Sequence, residues 1–86
     1  MSHISLLYFA WVRERIGKDA EEMMLPASVE TVTDLLDWMA GQGEGYAHAL
    51  EDRSRIRVAV NQAYAQPDAT VSCGDEVALF PPVTGG

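Results

Sequence analysis

The chain has 86 residues, is 48% apolar, and carries 13 acidic against 6 basic side chains for a net charge of −7. That length supports one domain burying roughly 60–65% of the surface of its unfolded chain, too little to wall in a deep active site; the apolar share excludes disorder. The acidic balance disfavours nucleic acid and anionic membrane, and taken alone it favours a partner with a basic docking surface. A single cysteine, Cys73, excludes an internal disulfide and suits a reducing compartment. The apolar run Ile4–Val12 is too short to span a bilayer, and it lacks the basic flank and cleavage site of a signal peptide. A cytoplasmic protein is expected.

In chain order, His3–Phe9 is rich in β-formers and predicts a first strand. Ala10–Gly17 predicts a short helix, with Val12 and Ile16 one turn apart and Gly17 as its stop. Glu21–Leu25 is a weaker strand ended by Pro26, which makes a hairpin-like β-α-β start. Thr31 with Asp34 resembles a capping box, and Val32, Leu35, Leu36 and Met39 then form an apolar stripe before Gly41. A second short helix is expected around Tyr46–Glu51. Ile56–Asn61 and Glu76–Phe80 predict strands, with Tyr64-Ala65 returning after an Asn61-Gln62 turn and Cys73-Gly74-Asp75 as a further turn.

Alternation along the strands sorts the sheet into two faces. Ile4, Leu6, Tyr8, Ile56, Val58, Val60, Val77 and Leu79 form an apolar set that the Val32–Met39 helix can cover. The other face collects Ser5, Leu7, Phe9, Arg57, Ala59, Asn61, Glu76, Ala78 and Phe80. One helix over one face leaves the other open, and large apolar groups on an open face predict docking, the alternative being that a loop folds over them.

Beyond Phe80 the chain runs Pro81-Pro82-Val83-Thr84-Gly85-Gly86. Those residues can reach about 20 Å at ~3.3–3.6 Å each. The two prolines stiffen the root and forbid helix there. Gly-Gly, lacking Cβ atoms, can thread a channel too narrow for other dipeptides. The expected division is a domain over residues 1–80 and an extended tail over residues 81–86.

Several motifs now combine: Tyr8-Phe9-Ala10 with Arg13-Glu14 and Gly17, Thr31-Val32, Val58-Ala59-Val60-Asn61, and Gly74-Asp75-Glu76-Val77-Ala78-Leu79-Phe80-Pro81-Pro82-Val83-Thr84-Gly85-Gly86. In this order, over essentially the whole chain, they resemble the family of molybdopterin synthase small subunits. The last thirteen residues are the most diagnostic, because other Gly-Gly carriers share the glycines but not the Phe-Pro-Pro root.

The resemblance implies an α+β fold of the ubiquitin-like β-grasp type: a mixed sheet, one main helix on one face, and a C-terminal Gly-Gly tail. It implies a sulfur carrier that is not an enzyme on its own and binds no permanent cofactor or metal. In that family the terminal glycine, here Gly86, is adenylated by an E1-like activating enzyme that uses ATP, then converted to a thiocarboxylate. The tail, here Pro81 to Gly86, next enters the large synthase subunit, where sulfur passes to cyclic pyranopterin monophosphate and builds the molybdopterin dithiolene. The family assembly is a heterotetramer, and its apolar partner contacts map to Phe9, Tyr64 and Phe80. The chemistry is consistent with that scheme. An α-carboxyl of pKa about 3.3–3.7 is ionised at neutral pH and a poor electrophile, so it needs a leaving group before sulfur can be installed. A thiocarboxylate is a soft nucleophile, as a thiolate is.

Other candidates carry less. Cys73 has no neighbouring His or second Cys in sequence, and His3 and His48 lack companions at ligand spacing. Asp34 and Asp37 suit a solvated helix face, and Glu21-Glu22 and Glu51-Asp52 suit solvating charge. Trp38 lies about 120° from the helix stripe and is expected to flank the core. Two alternatives to the synthase subunit stay open: a carrier of another pathway or ubiquitin-like modifier, and an inert interaction module with no chemistry at its tail.

Overall fold

A computed structural model describes residues 3–82. In chain order it contains β1 (His3–Tyr8), α1 (Ala10–Ile16), β2 (Ala20–Met24), α2 (Val32–Ala40) and α3 (Glu44–Ala49). A 3₁₀ turn (Arg53–Arg55), β3 (Arg57–Val60), β4 (Ala63–Tyr64) and β5 (Glu76–Phe80) follow. The five strands form one mixed sheet in the order β2-β1-β5-β3-β4. β1 and β5 run parallel, with Leu6 opposite Val77 and Tyr8 opposite Leu79, and the other pairs are antiparallel. This is the β-grasp arrangement, with α2 laid across one face.

The predicted elements are present, and their ends move for local reasons. Ile56 caps the 3₁₀ turn, donating its N–H to the Arg53 carbonyl at 3.2 Å, and β3 therefore begins only at Arg57. At the other end, Asn61 and Gln62 take φ of 52° and 71°, the left-handed pair of a two-residue hairpin loop between Val60 and Ala63. The expected Tyr46–Glu51 helix forms two residues earlier, as α3. Gly17 ends α1 with φ of 90°, a conformation that favours glycine. Gly45 is required by proximity, since a Cβ there would lie 2.7 Å from the Arg15 carbonyl oxygen where α3 crosses α1.

The apolar stripe of α2 is buried as expected, with Val32, Leu35, Leu36 and Met39 packed over the sheet. Its start is a complete capping box: Thr31 Oγ1 accepts from the Asp34 N–H, and Asp34 Oδ2 accepts from the Thr31 and Glu30 N–H groups. Asp34 is therefore a helix cap and more than a solvating charge. Ile4, Leu6, Tyr8, Val77 and Leu79 are each at most 1% exposed, whereas Val60, at the hairpin end, is only half-buried. Trp38 flanks the core.

One expectation is corrected. Glu21 is not a solvating charge, because its register partner is the fully buried Leu6 and it shares the covered face. Its Oε2 accepts from Tyr8 Oη and Tyr46 Oη, each at 2.7 Å, and its Oε1 accepts from Lys18 Nζ at 3.0 Å. The network ties β1, β2 and α3 together. Burial opposes ionisation of Glu21, but the three hydrogen-bond donors outweigh it and hold the carboxyl below its ordinary range.

A carboxyl whose pKa is depressed by folding contributes stability above its unfolded pKa, about 4.3 for Glu, and loses it as pH falls through the folded value. Denaturant midpoints measured from pH 7 down to pH 3 should therefore fall more steeply for wild type than for Glu21→Gln. Parallel curves would remove Glu21 as a source of acid sensitivity.

Candidate functional site

The face of the sheet away from α2 is built in rows set by strand register. Closest to the end where the chain leaves β5 stand Phe9, Phe80 and, directly opposite Phe80, Arg57. The next row runs Ala20, Leu7, Ala78, Ala59 and Tyr64 across all five strands. The third holds Glu22, Ser5 and Glu76, with Asn61 beside Glu76. Alternation puts each row on the same face, and Ala78 and Ala59 keep the middle row low between Leu7 and Tyr64.

Phe9 is exposed as the open-face reading expects, and Tyr64, which only the family resemblance singled out, is exposed beside Phe80. Phe9 is 47% and Tyr64 77% exposed, and the Tyr64 and Phe80 rings pack with centroids 5.8 Å apart at a 49° tilt. Phe9 is positioned twice over: its N–H bonds the Leu79 carbonyl at 3.1 Å, and its own carbonyl accepts from Val12 as α1 begins. The φ of 54° at Ala10 makes that turn from strand to helix. Leu7 and Phe80 are half-buried, and no described loop buries Phe9 or Tyr64.

Phe80 is the last residue paired in β5, and Pro81 and Pro82 follow half-buried. Proline has no N–H to continue a ladder, so the strand ends where the two prolines begin. Beside this exit lies a cleft of about 700 Å³ between the start of α2 and β3, lined among others by Leu36, Ile56, Arg57, Tyr64, Phe80 and Pro82. Its lining includes no carboxylate, imidazole or thiol, so it can hold apolar groups and anions but offers no acid–base pair. The three partner-contact candidates, Phe9, Tyr64 and Phe80, thus share one surface at the root of the tail. The reactive-tail candidates Val83, Thr84, Gly85 and Gly86 lie outside the described residues.

Charge at this end of the sheet was only partly read from the sequence. All six basic residues fall in two windows, 13–18 and 53–57, and both windows adjoin the strand ends nearest Phe80. Trp11 is flanked by the Arg15 and Arg55 guanidinium groups at 4.6 and 5.4 Å from its ring. Arg53 pairs with Asp37 at 3.0 Å, so Asp37 too is more than a solvated surface group. Cys73 sits exposed in its turn at the opposite end of β5.

Comparison with known proteins gives a consistent result. The molybdopterin synthase sulfur carrier subunit of Escherichia coli is 48% identical over 96% of this chain and 99% of its own length. The Haloferax volcanii small archaeal modifier protein 1 superposes with a TM-score of 0.74 at 30% identity, covering 96% of this chain and all of that one. A chain from the complex of subunits 1 and 2 of molybdopterin-converting factor from Helicobacter pylori shares the fold, with a TM-score of 0.63 at 18% identity over 98% of this chain and 99% of that one. The ThiS family model matches residues 6–86, and the chain belongs to the ThiS family.

Proposed function

We propose that this chain is the sulfur carrier subunit of a molybdopterin synthase, with the Gly86 carboxylate as its working group. The observation that carries the reading is the 48% identity to the Escherichia coli sulfur carrier subunit over 99% of that protein's length. The family match running through residue 86 supports the assignment of the tail. The relatives named as sulfur carrier subunits support reading this chain as a carrier and not as a catalyst by itself, and a domain of 86 residues is too small to enclose a deep active site.

The proposed cycle starts with an E1-like enzyme that transfers AMP from ATP to the Gly86 carboxylate. A sulfide-level sulfur nucleophile then attacks the acyl carbon, the bond to AMP breaks, and AMP leaves behind a terminal thiocarboxylate. The charged tail enters the large synthase subunit, whose pocket binds cyclic pyranopterin monophosphate. The thiocarboxylate sulfur bonds to that substrate, and water then cleaves the bond between sulfur and the Gly86 acyl carbon. That leaves sulfur on the substrate and a carboxylate on the chain ready for another round. ATP belongs to the activating enzyme, and this chain keeps no cofactor or metal. The exposed Phe9–Phe80–Tyr64 surface docks the partners, two copies of this chain serve one large-subunit dimer, and the setting is cytoplasmic. Among the described residues no helix is long and apolar enough to cross a membrane. The likeness to an archaeal modifier makes isopeptide conjugation the rival outcome in any product analysis.

Deleting Gly86 should abolish sulfur transfer in a reconstituted synthase assay while leaving the melting temperature nearly unchanged, since the described core cluster lies between Ile4 and Leu79. Full activity of the deletion would rule out Gly86 as the carrier atom's site.

Phe80→Ala should weaken binding to the large subunit by about 2 kcal/mol or more, the size expected for a central aromatic anchor. Calorimetric titration decides this, and unchanged affinity would make the ring a structural group.

Replacing both Pro81 and Pro82 by Gly should keep the fold and weaken both partner complexes by roughly 0.4–1 kcal/mol per site, because proline removes unbound tail conformations before insertion. Equal affinities of variant and wild type for both partners would show that the prolines only end the strand.

A further inference from the structure

The open face is electrically polar along its strands. At the tail end its one fixed charge among the described strand residues is Arg57, standing opposite Phe80. At the far end are Glu22 and Glu76, on either side of Ser5. Glu76 lies four positions before Phe80 on β5, so the two poles are separated by roughly 13 Å at ~3.3 Å per residue. Between them is the low apolar row of Leu7, Ala78 and Ala59.

These charges are available. Among the described residues Lys18 pairs with Glu21, Arg53 with Asp37 and Arg15 with Glu51, but Arg57, Glu22 and Glu76 enter no ion pair. The Arg57 Nη1 donates only to backbone carbonyls, of Ser54 at 3.3 Å and Ile56 at 3.2 Å. Those bonds hold the guanidinium near the rim of the cleft and leave its charge uncompensated.

We propose that these two poles set the orientation in which the open face docks on the second subunit of the synthase. The partner would carry a carboxylate facing Arg57 beside the entrance for the tail, and a basic side chain facing Glu22 and Glu76 on the far side of the apolar contact. The apolar residues supply adhesion without direction, and the poles supply direction, since turning the chain end for end would set like charges together. This inference rests on the function proposed above. It also refines what the net charge of −7 says by itself: a uniformly basic partner surface would repel Arg57.

The test is association of the full-length chain with the second subunit from the same organism, measured by stopped flow at low and high salt. Arg57→Glu should slow association roughly tenfold at low ionic strength, and Arg57→Gln should slow it less. Glu22→Lys should also slow it. All differences should shrink in about 1 M salt, where the Debye length is ~3 Å. Arg57→Glu associating as fast as wild type, or faster as a uniformly basic partner requires, would overturn the proposal, and so would an unaffected Glu22→Lys. Far-ultraviolet circular dichroism of each variant separates these results from misfolding, and Arg57→Gln, which keeps a long polar side chain, covers the case in which the reversal does not fold. If Phe80→Ala weakens the complex while Arg57→Glu does not, only the charge poles fail. If the wild-type chain does not bind the second subunit, the assignment of function falls, and the poles fall with it.

Discussion

The parallel pairing of β1 with β5 is the constraint on which the rest of this molecule depends. It places the first strand of the chain beside the last, so that Leu6, Tyr8, Val77 and Leu79, each at most 1% exposed, form the centre of the core under α2. Burial of each such side chain contributes on the order of 1.5–3 kcal/mol relative to exposure. Parallel strands cannot be joined by a tight turn, and the whole intervening chain, with its helices and β2 to β4, is the connection. The same pairing brings Phe9 next to Phe80 and Pro81. The surface proposed for docking is thus assembled from both ends of the sequence by one strand register.

Strand alternation then divides the labour between the two faces. The covered face holds the domain together and leaves no polar side-chain atom unsatisfied among the described residues. Its one charged member, Glu21, is held by two tyrosine hydroxyls and a lysine. The open face has fewer internal contacts, among them the Tyr64–Phe80 ring packing and the Arg57 hydrogen bonds to backbone carbonyls. Its exposed aromatics, low alanine row and unpaired charges add little to folding, which leaves them free to serve recognition. A domain of this size is too small to surround a reactive group, and the proposed function accordingly places the chemistry of the tail in a partner's pocket.

Much of this was legible in the sequence because it depends on local period. The Val32–Met39 stripe, the Thr31–Asp34 cap, the Gly17 stop and the two sheet faces all follow from spacing, and the structure reproduces each. Tyr64 was legible only through family resemblance, since a two-residue strand has no period to read. Glu21 was misread because the pair Glu21-Glu22 looks alike in sequence, and only the register with Leu6 assigns one to the core side and the other to the open face. Arg57 was placed on the correct face, but its position opposite Phe80, and hence its bearing on docking, needed the β3–β5 register. Pairing between distant strands is what composition and period do not encode.

The central claim is that sulfur travels on the terminal carboxylate of Gly86, and intact-mass spectrometry of the protein purified from its native host tests it most directly. The account predicts a population heavier by the exchange of one oxygen for sulfur, with fragmentation placing the change at Gly86. That population should disappear when the activating enzyme is removed. A terminus found only as carboxylate while molybdenum cofactor is being made, or found only in isopeptide linkage to other proteins, would contradict it.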